Sequence, residues 1–291
     1  MSDRAQSPAS PNLGASLPPH VWFGVSAVFH YLGPAFAVLL FARVGVLGVA
    51  WLRIATAALF FAPLTRPWKT FADADARTRL LLIAFGACLA VMNCAFYLAL
   101  DRLPISLVAA IEFVGTIGIA LAGLRSLRNF AALVVAVTGT FLLIDVRWAS
   151  DPVGLAWAFL NGALFVGYIV LGHHVSRTAA GGVQGLGAAM AVAFLVVSPV
   201  GIRDALPVLG APLLLLAAMA VGICSSVIPY ICDQLAMARL PRASFAVMLS
   251  LLPATATLIG ILVLGQIPSR LDTFGIALVV AGVAFHKPAP D

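Results

Sequence analysis

Across 291 residues the chain is 62% hydrophobic and only 10% charged, with a formal charge of +6. A water-soluble domain carries about 25% charged residues, so most of this surface cannot be solvated and has to face lipid. Composition therefore excludes a soluble enzyme or binding domain and requires an integral membrane protein.

Residues 1–20, MSDRAQSPASPNLGASLPPH, are rich in Ser, Pro and Ala and are expected to form a disordered cytoplasmic tail. They lack the basic start and immediate apolar core of a signal peptide, so the first hydrophobic run is expected to stay as a span. Ten apolar runs come after it, at 21–42, 44–64, 79–100, 104–123, 129–146, 152–172, 181–202, 210–236, 241–265 and 271–287. Each approaches the 20 or so residues that cross a bilayer as a helix. The runs are continuous rather than alternating, which points to helices and away from a β-barrel. The expectation is an all-α integral membrane protein with ten transmembrane helices.

Charge placement sets the orientation. With the N-terminus cytoplasmic, eleven Lys and Arg residues fall on the inner side and five on the outer, with Arg53 left inside a span. That satisfies the positive-inside rule and puts both termini in the cytoplasm. The basic balance is thus topology, and no nucleic-acid partner is expected. The partners are the bilayer and a small-molecule substrate.

The segment LALDRLPISLVAAIEF resembles LAMARLPRASFAVMLS, and Leu103-Pro104 aligns with Leu240-Pro241 at an offset of 137 residues. This divides the chain into repeats at 21–146 and 152–287. Five spans per repeat invert the second half in the membrane, an arrangement that places a transporter's substrate site near the midplane between the halves.

Polar groups at that depth are costly to bury, so they mark candidate sites. Glu112, the chain's one glutamate, lies near the centre of span 4. His30 is central in span 1, Arg53 in span 2 and Asn161 in span 6, while Asn93 lies deep in span 3. Together they are candidates for one midplane cavity. Two readings stand for Arg53 and Glu112: a structural pair holding spans 2 and 4 together, or a substrate site. His30 is either a ligand or a neutral histidine bonded to a backbone carbonyl. Asn93 and Asn161 suit interhelical hydrogen bonds, and the four tyrosines, Tyr31, Tyr97, Tyr168 and Tyr230, suit packing. Asp233 falls towards the cytoplasmic end of span 8, after SSVIPY, where Pro229 kinks the helix. It suits a pair with Arg239 or Arg242, or a gate together with Tyr230. Adjacent His173 and His174 point in different directions on a helix, which disfavours a metal site. Cys88, Cys94, Cys224 and Cys232 match no zinc spacing and suit packing.

NCAFYLALDRLPISLVAAIEFVGTIGIAL and VIPYICDQLAMARLPRASFAVMLSLLPATATLIGILVLGQ resemble the EamA-type transporters of the drug/metabolite transporter superfamily. The order of motifs is most similar to that of bacterial threonine/homoserine exporters. The resemblance covers most of the chain from about residue 20. It implies ten helices in two inverted five-helix repeats, an inner-membrane location and export of small amino acids or related metabolites. It also implies helices 5 and 10 as the contact of a homodimer. The matched residues are Arg53, Asn93, Tyr97, Glu112-Phe113 with Gly115, Pro229-Tyr230, Asp233 and Arg239-Leu240-Pro241. Three positions depart from the family pattern. Thr116 replaces a proline, Leu252-Pro253 replaces Glu-Pro, and Leu264-Gly265-Gln266 replaces Leu-Gly-Glu, so two second-half carboxylates are missing.

No cofactor is expected. The chain has no nucleotide loop, no clustered metal ligands and no nucleophile with a base, which argues against an enzyme or a self-contained ATP-driven pump. The driving force expected is a proton gradient, with Glu112 and Arg53 binding the two ends of a zwitterion, and His30, Asn93, Tyr97 and Asn161 beside them. The alternative is uptake or exchange of another small metabolite or drug-like compound.

Overall fold

The computed structural model describes residues 17–122, 126–145, 151–179, 181–240, 245 and 248–285. Most of the expected tail, Arg242 and Pro241 lie outside them. Among the described residues the regular structure is entirely helical. The principal helices are α1 Pro19–Val38, α2 Val46–Thr65, α3 Ala76–Leu100, α4 Ile105–Ala122 and α5 Leu127–Asp145. They continue with α6 Pro152–Ser176, α7 Gly182–Leu209, α8 Pro212–Met237, α9 Leu252–Leu264 and α10 Arg270–Phe285. Six of them (α1, α2, α3, α6, α7 and α8) are long and apolar enough to cross a membrane, and α9 is a shorter apolar helix.

Local chemistry explains the helix ends. Pro19, Pro152 and Pro212 open α1, α6 and α8, where a missing N–H costs nothing. Asp75 and Asp151 cap α3 and α6, each accepting from the backbone N–H three residues on, at 3.1 and 2.8 Å. The ninth expected span is broken rather than continuous among the described residues: Phe245 and Met248 are helical, a 3-10 turn follows at Leu249–Leu251, and α9 runs from Leu252 with Pro253 in its first turn. At the other extreme, α7 runs on past its expected end at 202, through Arg203, Asp204 and Pro207 to Leu209.

The helices pack in a regular pattern. α2 lies on α7 and α5 on α10; α3 lies on α6 and α7; α8 lies on α1 and α2; α4 and α9 lie on each other and on α6 and α1 respectively. Helices α5 and α10, the expected dimer contact, therefore pack on each other within one chain. Close approach needs small residues at some crossings. A Cβ on Gly33 of α1 would fall 2.5–2.6 Å from Ser225 of α8, so only glycine admits this contact. Apolar side chains such as Leu59, Leu195, Leu213 and Leu262 are 69–84% exposed on the outside of the bundle. In water so many exposed leucines would be a liability, whereas facing lipid tails they carry no such penalty.

Candidate functional site

The polar residues that hydropathy cannot account for converge inside the bundle. Glu112 on α4 is 2% exposed. Its Oε2 accepts from the Tyr31 hydroxyl of α1 at 2.6 Å, and its Oε1 accepts from Asn161 Nδ2 of α6 at 2.8 Å. The carboxylate thus has two neutral donors and, among the described residues, no cation in contact.

Arg53 on α2 is also buried. Its Nε donates to Ser226 Oγ at 2.6 Å, and its Nη2 donates to the Ser225 carbonyl at 2.5 Å and to Tyr230 Oη at 3.4 Å. The Ser225 carbonyl is available for a reason written in the sequence. Pro229, four residues later, has no N–H to return to it, and the helix opens into a π-helical stretch at Ile223–Val227. The guanidinium also lies over the rings of Tyr97 and Tyr230, 5.3 and 5.8 Å from their centroids, a favourable place for a buried cation. Asn93 Nδ2 donates to Tyr230 Oη at 3.1 Å and to the Leu89 carbonyl at 2.7 Å. Of the two readings for Arg53 and Glu112, direct pairing is not what forms: each is held by other side chains.

Asp233 corrects another expectation. It is buried, 2% exposed, and its oxygens accept from Ser26 Oγ of α1 at 2.5 Å and the Tyr168 hydroxyl of α6 at 2.7 Å. Arg239, its expected partner, donates instead to the Leu17 carbonyl at 2.9 Å. A π-helical turn inserts an extra residue and rotates the rest of the helix by about 100°. The helix face after Ile223–Val227 therefore cannot be found by counting from the start of the span.

His30 packs edge-on between Tyr31 and Phe165, at 5.3 and 5.7 Å, and makes no backbone hydrogen bond among the described residues. Phe165 stacks on Tyr168, and Tyr168 lies 5.5 Å from the Tyr230 ring, so aromatic contacts join the surroundings of Glu112, Asp233 and Arg53. His173 is buried and His174 exposed, each bonded to the carbonyl four residues back, so they face opposite ways. Three of the four cysteines are only partly buried, and all four are free thiols.

The candidate residues therefore fall into three connected groups: Glu112 with Asn161, near His30; Arg53 with Asn93, Tyr97 and Tyr230; and Asp233. Ser26, Tyr31, Tyr168, Ser225 and Ser226 are not among the candidates drawn from the sequence, although each bonds a buried charge. A signal for the tyrosines is present there, since a phenol at membrane depth needs a hydrogen-bond partner for its hydroxyl. Two buried polar atoms at the site have no partner, Tyr97 Oη beside Arg53 and Asn161 Oδ1 beside Glu112.

Two of the three positions that depart from the family pattern have a structural place here. Thr116 lies in α4, where side chains beyond Phe113 are outside the described residues. Leu252-Pro253 opens α9. Gln266 follows Gly265, whose φ of +63° turns the chain, and its Oε1 accepts from the backbone N–H of Ile105 at 3.3 Å, at the start of α4.

Residues 152–286 match the family model described as the EamA-like transporter family. The threonine/homoserine exporter RhtA of Escherichia coli (strain K12) is 30% identical over 254 residues, covering 86% of this chain and 84% of that protein. RhtA of Salmonella typhimurium (strain LT2) is 30% identical over 253 residues, with the same coverage. A solved crystal structure with 17% identity superposes with a TM-score of 0.62, over 92% of this chain and 95% of the other. That likeness concerns the fold.

Proposed function

The chain belongs to the EamA-like transporter family, and from that premise we propose that it exports small amino acids of the threonine/homoserine kind across a bacterial inner membrane, coupled to protons. As a member of that family it is a transporter and not an enzyme. The relatives named for threonine and homoserine export support the substrate class.

The observation that carries the reading is the polarity of the partnerless atoms. Beside Glu112, Asn161 offers an acceptor; beside Arg53, Tyr97 offers a hydroxyl. An ammonium group satisfies the first pair and a carboxylate the second. A zwitterionic amino acid presents both, and a buried site built to hydrogen-bond such groups rejects analogues that lack them.

Packing supports two inverted repeats. Moving five helices along turns the α3–α6 contact into α8–α1, α3–α7 into α8–α2, and α4–α6 into α9–α1, while α2–α7, α4–α9 and α5–α10 map onto themselves. Rocking of such halves about the Arg53–Glu112 level gives alternating access. Ionised Glu112 binds the substrate ammonium. A proton entering from outside neutralises it and releases the substrate there, and the proton is then delivered inside.

The test is threonine transport by purified protein in liposomes. Glu112→Gln is expected to insert and fold but to lose proton-driven transport. Wild-type rates with unchanged pH dependence would refute the role given to Glu112. A wild-type protein that ignores threonine and homoserine but moves another metabolite would refute the substrate class.

A further inference from the structure

Asp233 has no part in a cycle run by Glu112 and Arg53, yet its surroundings repeat those of Glu112. Tyr31 and Tyr168 stand 137 residues apart, the offset that aligns the two Leu-Pro breaks, and each donates to a buried carboxylate. Helices α1 and α6 serve both acids: α1 supplies Tyr31 to Glu112 and Ser26 to Asp233, while α6 supplies Asn161 and Tyr168. We propose that Asp233 is a second exchangeable-proton site, which holds the coupling proton while Glu112 is ionised for the substrate ammonium. The proposal rests on proton-coupled transport through Glu112.

The first argument is charge. α1 presents Ser26 to Asp233 and α6 presents Tyr168, while Tyr230 and Cys232 neighbour it on α8 itself. The ionisable residues of α7, Arg203 and Asp204, lie near that helix's end. α2, which also packs on α8, brings Arg53 to Ser225, Ser226 and Tyr230, and His30 of α1 packs on Tyr31 and Phe165. None of these elements places a cation in hydrogen-bond contact with Asp233. Burying an unpaired carboxylate is costly. Around the site, one permanent cation, Arg53, stands against two buried acids, so the three are neutral together when one acid carries a proton.

The second argument is the hydrogen-bond geometry, which fits both protonation states. With Asp233 ionised, Ser26 donates to Oδ1 at 2.5 Å. With Asp233 protonated, the acid O–H donates to Ser26 Oγ, and the serine proton turns to the Pro229 carbonyl, 3.3 Å away. That carbonyl is a ready acceptor, so neither state leaves a buried group unpaired. One proton moves from water to an Asp233 oxygen and back, and no other bond changes.

Infrared spectroscopy of the purified protein in lipid tests this without any substrate, because a protonated carboxyl has its own stretching band. Titrated with pH, the wild type is expected to show two such bands, one lost in Asp233→Asn and the other in Glu112→Gln. Ser26→Ala should shift the Asp233 band and its midpoint and leave that of Glu112, and Tyr31→Phe should do the reverse. Ser26→Ala carries the test if Asp233→Asn does not fold. In liposomes, Asp233→Asn should keep threonine counterflow but lose proton-driven accumulation. A carboxyl spectrum unchanged by both Asp233→Asn and Ser26→Ala would overturn the proposal. A normal Asp233 band with none for Glu112 would instead overturn the coupling role of Glu112.

Discussion

Asn93 and Tyr230 are 137 residues apart and hydrogen-bonded at 3.1 Å. The offset is the one that aligns Leu103-Pro104 with Leu240-Pro241, so under the proposed repeat the two are equivalent positions. Equivalent residues that touch lie on the axis relating the halves, and here that contact also carries Arg53. Tyr230→Phe removes the hydroxyl shared by Asn93 and Arg53. It is expected to cost about 1 kcal/mol of stability, seen as a lower melting temperature in detergent, and to slow transport. Unchanged values for both would deny the contact any role.

Arg53 is held by a fork rather than by a charge partner. Its Nε and Nη2 reach Ser226 Oγ and the Ser225 carbonyl together, and a lysine ammonium cannot reproduce two divergent donors. Arg53→Lys should therefore keep the charge and lose transport about tenfold or more, the equivalent of about 1.4 kcal/mol. Ser226→Ala leaves a charged donor short of its acceptor and should cost about 1.5–3 kcal/mol. A double-mutant cycle on melting temperature, with Arg53→Lys and Ser226→Ala, checks that the two losses are coupled.

How much of this is legible in the sequence depends on what each residue needs. Depth along a hydrophobic run locates Glu112, Arg53, Asn93 and Asn161, because burial of a polar group is a one-dimensional property of the chain. Partners are not. Pairing Arg53 with Glu112 follows from opposite charge alone, whereas its actual acceptors arise from a carbonyl released by Pro229 and a π-helical turn. Counting along a regular helix also sets the face that Asp233 presents, and the same turn rotates that face. The serines at 225 and 226 stand in plain view before Pro229, but nothing local tells a lipid-facing serine from an arginine's acceptor.

Gln266 shows the opposite case, a departure from the family pattern with a structural answer. The missing acid belongs to the start of α4, where Gln266 Oε1 accepts from Ile105 N–H. Gln266→Glu would put a full negative charge on a helix N-terminus, worth about 0.3–1 kcal/mol. The variant is expected to melt higher than wild type and to keep the same dependence of transport on pH. A shifted pH profile would mean that this position takes part in coupling.

Asp151 supplies the control for every pH experiment on the core. It sits outside the spans, capping α6, and its carboxyl is held below the ordinary value first by the Gly154 N–H and then by Arg102, 3.3 Å away. A group with a lowered value in the folded protein stabilises fully above its unfolded value, about 3.9 for aspartate. That stabilisation disappears as pH falls through the folded value. Its window therefore lies in acid, below about pH 4. Between about pH 5 and 8, where histidine and perturbed carboxyls titrate, Asp151 stays ionised throughout. Asp151→Asn keeps a good cap and removes only the charge. Its transport-against-pH curve over that range should superimpose on the wild type, with differences in melting temperature confined to the acid limb. A displaced curve near neutrality would show that the Arg102–Asp151 contact, and not the buried carboxylates alone, sets the pH response.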